Sequence, residues 1–136
     1  MAGEVQEERA AIVLAGRRIL VVEDEIMIAM MVEDMLEEIG CCVAAVATRH
    51  SAAEEAIESG GLDAAILDIN LNGGTSFDIA RALAARGIPF LFSTGYGESA
   101  TPPEFRDRPV LGKPFAQAEL RTKLSSLFSG ATGSEG

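Results

Sequence analysis

The chain has 136 residues, a length that fits one domain and leaves little room for a second. Apolar residues make up 48%, enough for a buried core and too many for global disorder. A formal net charge of -10 argues against electrostatic nucleic-acid binding, which needs clustered Lys and Arg, and suits a carboxylate site that attracts a cation.

Residues 1–16 read as an N-terminal extension. Glu4 to Arg9 is polar, and Ala10 to Ala15 is a short apolar patch ending at Gly16, suited to a helical turn or an added contact surface. No basic segment there leads into an apolar run long enough for a signal peptide or a membrane span, so a cytoplasmic protein without membrane attachment is expected. Arg18-Ile-Leu-Val-Val22 is a β-branched apolar run suited to a strand buried on both faces, and it ends abruptly in Glu23-Asp24-Glu25. From Ile26 to Ile39 the period becomes helical, with Ile28, Met31, Met35, Leu36 and Ile39 on one face and Gly40 as the stop. Met27 and Met30 fall off that face, where they offer an adaptable docking patch or plain packing.

The neighbours Cys41 and Cys42 suit neither an internal disulfide framework nor a metal site, which points to a reducing compartment. Cys42 to Ala47 is a second strand. Ser51 opens a helix with Glu54 three residues on, a capping box, and Gly60-Gly61 closes it. His50, the single histidine, reads as a solvent residue at the start of this helix. Ala64 to Leu67 is a third strand ending at Asp68. After the polar loop Asn70-Leu-Asn-Gly-Gly74, Thr75 or Ser76 can cap a helix running to about Arg86. Pro89 to Ser93 is a fourth strand. Pro102, Pro103 and Pro109 allow only a short or broken helix over 97–109. Val110 to Gly112 is a brief fifth strand, and Gln117 to Phe128 a last helix with Leu120, Leu124, Leu127 and Phe128 inward. The Gly-, Ser- and Thr-rich residues 129–136 read as a disordered tail.

Strands alternating with helices predict an α/β fold, a parallel sheet covered on both faces. Ligands of such open sheets sit beyond the carboxyl ends of the strands, near the switch in strand order. Those ends carry Glu23-Asp24, Asp68, Thr94 and Lys113. Neighbouring carboxylates need a counter-charge, and Mg²⁺ with its preference for oxygen ligands supplies one. Lys113 adds a fixed positive charge and Thr94 a hydroxyl donor, which together suit phosphoryl transfer onto Asp68. Each element alone is weak, since acidic turns and capping aspartates are common. The ordered set is what is specific.

Two other motifs fail on residue identity. Asp68 to Gly73 matches the first half of a calcium EF-hand loop, but the twelfth position is Ile79 rather than Glu. A haloacid-dehalogenase phosphatase needs a second Asp two residues on, where Asn70 stands.

Over about Arg17 to Phe128 the sequence resembles the response-regulator receiver family, through Ile19-Leu-Val-Val-Glu-Asp-Glu25, Ala65-Ile-Leu-Asp68, Thr94-Gly95 and Lys113-Pro-Phe115. The resemblance implies a doubly wound (βα)5 sheet of five parallel strands in the flavodoxin-like order 2-1-3-4-5. It implies a phosphoryl group passed to Asp68 from a histidine kinase or phosphotransfer protein. Asp24, Asp68 and the Asn70 carbonyl would hold Mg²⁺, with Glu23 acting through a metal-bound water. Thr94 and Lys113 would hold the phosphoryl group, and Lys113–Pro114 would be cis. A receiver helps catalyse its own phosphorylation and dephosphorylation and is not a turnover enzyme.

Two departures stand out. The Met-Pro often found after the acceptor is Leu71-Asn72 here, a change expected to carry little chemical consequence. The aromatic residue usual three positions before the Lys is Val110, so the common Thr-aromatic switch is not available in that form. Phe92-Ser-Thr-Gly-Tyr96 resembles the FATGUY subgroup, whose members often answer to HWE-type or related histidine kinases. Thr94, Gly95, Tyr96 and Val110 are the expected switch and tuning positions, with Tyr96 shielding the acylphosphate or standing in for the missing ring. The expected function is a stand-alone signalling receiver that acts through protein–protein contacts or as a phosphate sink. The alternative is a pseudo-receiver adaptor that is never phosphorylated, which the intact residue set disfavours.

Overall fold

The structure is a computed structural model that describes the backbone of residues 2–95 and 101–134, and side chains over 8–95 and 101–128. Five strands form one parallel sheet: β1 (Arg18–Val22), β2 (Cys42–Ala47), β3 (Ala64–Asp68), β6 (Phe90–Thr94) and β7 (Val110–Gly112). A second, two-stranded antiparallel sheet is the hairpin β4 (Asn70–Leu71) and β5 (Gly74–Thr75). The main sheet runs β2-β1-β3-β6-β7. Counting only its own strands, that is the predicted order 2-1-3-4-5.

The alternation along each central strand builds two cores. Leu20, Val22, Ala65, Leu67, Phe90 and Phe92 face one layer, while Ile19, Val21, Ala64, Ile66 and Leu91 face the other. Helices α3 (His50–Ser59) and α4 (Phe77–Ala85) cover the first layer through Ala53, Ile57, Ile79, Ala80 and Leu83. Helices α2 (Ile26–Ile39) and α5 (Gln117–Ser134) cover the second through Val32, Leu36, Ile39, Leu120 and Leu124. Central strands buried on both sides need continuous apolar runs, which is why these read as unbroken aliphatic stretches.

Several elements differ from expectation. The N-terminal segment forms a 13-residue helix, α1 (Ala2–Leu14), rather than a single turn. Its end is built into the second core: Leu14 is fully buried, Gly16 N–H donates to the Gly40 carbonyl at 2.9 Å, and the Arg17 guanidinium lies 4.1 Å from the Phe128 ring centre. Helix α5 continues to Ser134, past the predicted end at Phe128, so the backbone of 129–134 is helical where a disordered tail was expected. An added turn costs little once a helix is nucleated and docked. The capping box of Ser51 and Glu54 does not form, because the N-cap falls two residues earlier, at Arg49, whose side chain makes no capping bond. Met31, predicted on the core face of α2, is 52% exposed, and Ala29 and Val32 fill the core instead. The apolar residues of α2 nearly encircle it, so their spacing alone leaves the buried face open by a residue either way.

Between β6 and β7 the only described helical element is a 3-10 turn, Pro103–Phe105, in keeping with the prolines. Phe105 is buried against Phe77, Phe90 and Phe92, with ring centres 5.6–6.2 Å away. Glu104 next to it accepts from Arg81 of α4 at 2.7 Å. Among the described residues, no helix is long and apolar enough to cross a membrane.

Candidate functional site

The chain enters the sheet at β1, steps outward to β2 and returns to β3 on the other side, so the order reverses between β1 and β3. Loops leaving the two strands in opposite directions open a crevice there. Backbone ladders run one residue beyond the strands and fix the first residue of each loop. Glu23 N–H donates to the Ala47 carbonyl at 3.0 Å, Ile69 N–H to Ser93 at 2.9 Å and Lys113 N–H to Thr94 at 2.8 Å. The carboxylates of Glu23, Asp24 and Asp68 are thereby gathered so that one oxygen from each lies within 4.8 Å of the others. The aliphatic runs stop where they do because these groups must face the crevice rather than the core.

Lys113 Nζ donates to Glu23 Oε1 at 2.7 Å and to Asp68 Oδ2 at 3.0 Å. All three side chains are largely buried, at 17, 4 and 8% exposure for Lys113, Glu23 and Asp68. Burial pushes the Glu23 carboxyl up to about 7, against the downward pull of Lys113 and with a further push from Asp68. Burial would lower the Lys113 ammonium, but its bonds to Glu23 and Asp68 together outweigh that and raise it. The remaining oxygens are also engaged: Glu25 N–H donates to Glu23 Oε2 and Asn70 N–H to Asp68 Oδ1, both at 3.2 Å. Hard oxygen donors from three carboxylates, balanced by one ammonium, form a donor set that fits a small divalent cation.

The structure thus brings Glu23, Asp24, Asp68 and Lys113 together, with Thr94 2% exposed at the end of β6. Asn70 opens β4 beside Asp68 with its side chain exposed. Gly95 is exposed in the turn after β6, and Lys113–Pro114 is cis. Val110 pairs with Phe92 across β6 and β7 and packs against the first core, so an aliphatic side chain occupies the position. Tyr96 lies outside the described residues.

The loop after Asp68 departs from expectation. Asn72 is tied to the neighbouring loops: its N–H donates to Asp24 Oδ2 at 2.8 Å and its side-chain amide to the Thr48 carbonyl at 3.1 Å. His50 does not simply face solvent, since its Nε2 lies 2.8 Å from the Thr75 carbonyl. The signal was present in Asn72-Gly73, the dipeptide favoured in two-residue hairpins because both positions need positive φ. Here φ is 55° at Asn72 and 81° at Gly73.

Residues 19–125 match the response regulator receiver domain model. The chemotaxis protein CheY of Pseudomonas aeruginosa is 27% identical over 123 residues, 85% of this chain and 99% of CheY. The solution structure of SdrG from Sphingomonas melonis is 46% identical with a TM-score of 0.74, covering 85% of this chain and 97% of SdrG. TrrA from Thermotoga maritima, a response regulator solved in complex with Mg²⁺-BeF, is 26% identical with a TM-score of 0.72, over 82% of this chain and 99% of TrrA. With more than half of its length matched by that model, the chain belongs to the response regulator receiver domain family.

Proposed function

We propose that the protein is a cytoplasmic phosphorylation switch in which Asp68 accepts a phosphoryl group from a histidine kinase or a histidine phosphotransfer protein. The observation that carries this reading is the buried contact of Lys113 with both Glu23 and Asp68, beside a third carboxylate. An Asp68 oxygen attacks phosphorus as the P–N bond to the donor imidazole breaks, leaving an acylphosphate and a neutral imidazole. Lys113, already 3.0 Å from Asp68, exchanges its carboxylate contacts for a phosphoryl oxygen as negative charge moves in. Thr94, at the end of the neighbouring strand, offers its hydroxyl to a second oxygen. Glu23, Asp24, Asp68 and the Asn70 carbonyl would hold Mg²⁺, which neutralises charge on the phosphoryl oxygens when bound.

The donor docks on the exposed face of α2, where Met27 and Met30 are 80 and 58% exposed just after the carboxylates. With Val110 in place of an aromatic ring, the phosphorylated state is read through Thr94, Gly95 and Tyr96. A partner protein binds the altered surface, or the protein serves as a sink for phosphate from a shared kinase.

Incubation with Mg²⁺ and acetyl phosphate, followed by intact-mass analysis, tests the assignment. A base-labile phosphate adduct is expected on the wild type and not on Asp68→Asn. Label persisting in Asp68→Asn would refute the acceptor, and no label from acetyl phosphate or a phosphorylated kinase would favour the adaptor.

A further inference from the structure

The hairpin Asn70–Thr75 begins two residues after Asp68 and is tied down outside its own strand. Leu71 is fully buried in the first core and anchors it from below. Above, three hydrogen bonds lash it to other elements: Asn72 N–H to Asp24 Oδ2 after β1, Asn72 Nδ2 to the Thr48 carbonyl after β2, and His50 Nε2 to the Thr75 carbonyl from the start of α3. Asp24 is only half-buried, in the turn between β1 and α2. The bond that its carboxylate accepts from Asn72 crosses 48 positions of sequence.

We propose that Asn72 is a positioning residue for Asp24 and that the Thr48 and His50 ties hold Asn72 in place. The left-handed backbone at Asn72, with φ of 55°, aims its N–H at Asp24, and Asn tolerates that conformation better than other residues with a Cβ apart from Asp. A proline at this position would have no N–H to donate. One carboxylate oxygen is engaged by the hairpin, and the group keeps lone pairs for a cation. The hairpin therefore holds a half-buried turn carboxylate as a preset ligand, so less ordering accompanies cation binding. His50 acts through Thr75 and Asn72 and touches no ligand itself.

This inference rests on reading Glu23, Asp24 and Asp68 as a cation site, and the experiment separates the two. The dissociation constant for Mg²⁺ is measured by calorimetry on the full chain for the wild type, Asp24→Asn, Asn72→Gly, His50→Ala and His50→Gln. The melting temperature of each is recorded in EDTA. Asn72→Gly keeps the left-handed backbone and its N–H but loses the tie to Thr48. Asn72→Gly and His50→Ala should each weaken Mg²⁺ binding about 2- to 10-fold, the range set by one hydrogen bond. His50→Gln, which keeps a donor at similar reach, should restore most of the loss. If the variants lower the melting temperature while their Mg²⁺ affinity equals that of the wild type, the hairpin is merely structural and the proposal falls. A wild type that binds no Mg²⁺, or an Asp24→Asn variant that binds it equally well, overturns the site reading and this inference with it.

Discussion

Raising the pH of the metal-free protein should cost stability, and Glu23 should be the reason. Its carboxyl is pushed from an ordinary value of 4.5 to about 7, first by burial and then by Asp68, with Lys113 opposing. A folded-state value above the unfolded one means that the folded protein binds the proton more tightly. The stabilisation is complete below about pH 4.5 and is lost as pH rises through 7. At about 1.4 kcal/mol per pH unit, the whole window amounts to roughly 3 kcal/mol, of which roughly 2–3 kcal/mol falls between pH 5 and 8. The Glu23 side chain is only 4% exposed, so solvent screening removes little of this. Urea unfolding in EDTA at pH 5, 6, 7 and 8, on the wild type and Glu23→Gln, reads the effect, since carboxylates that do not touch Glu23 cancel in the difference. The wild type should lose stability relative to Glu23→Gln as pH rises, and saturating Mg²⁺ should flatten the slope by favouring the ionised carboxylate. Parallel profiles for the two proteins across pH 5–8 would rule out Glu23 as the titrating group.

Lys113→Met leaves Glu23 and Asp68 buried without their cation, so at pH 8 it should cost roughly 3 kcal/mol in EDTA. The cost should shrink at pH 5, where Glu23 takes up a proton, and an unchanged urea midpoint at pH 8 would show that the contact carries no weight. Leu14→Ala should destabilise by roughly 2–5 kcal/mol, because Leu14 is fully buried in the second core; a negligible effect would mean that α1 is not part of the folded unit. Phe105→Ala removes the ring that packs on Phe77, Phe90 and Phe92 and should cost roughly 3–5 kcal/mol. Faster hydrogen exchange over 101–109 should accompany it. Met31→Lys should change stability by less than about 0.5 kcal/mol, since Met31 is half exposed; a loss like that of Leu14→Ala would place it in the core after all.

Much of the fold was legible because its signals are local. The aliphatic runs at Arg18–Val22 and Ala64–Asp68, the glycines that close helices, and the three prolines around 102–109 each state a backbone preference within a few residues. The strand ends could then be read off, and with them Glu23, Asp24, Asp68, Thr94 and Lys113. Where a choice depended on what lies on the other side, the local signal failed. Met31 and Val32 are both apolar neighbours on one helix, and only the position of the sheet decides which is buried. Within the apolar patch Ala10 to Ala15, Ala10 and Leu14 are buried while Ile12 stays 77% exposed, a choice set by how α1 docks on α5.

The candidate site divides in the same way. Which residue types sit at the strand ends, and that they suit a cation and a phosphoryl group, can be read without coordinates, since charge and chemistry belong to each side chain. That Lys113 lies between Glu23 and Asp68, that burial pushes the Glu23 carboxyl up to about 7, and that Asn72 reaches Asp24 all depend on the folded chain. Distance and burial set those energies, and both arise only when residues 45 to 90 positions apart are brought into contact.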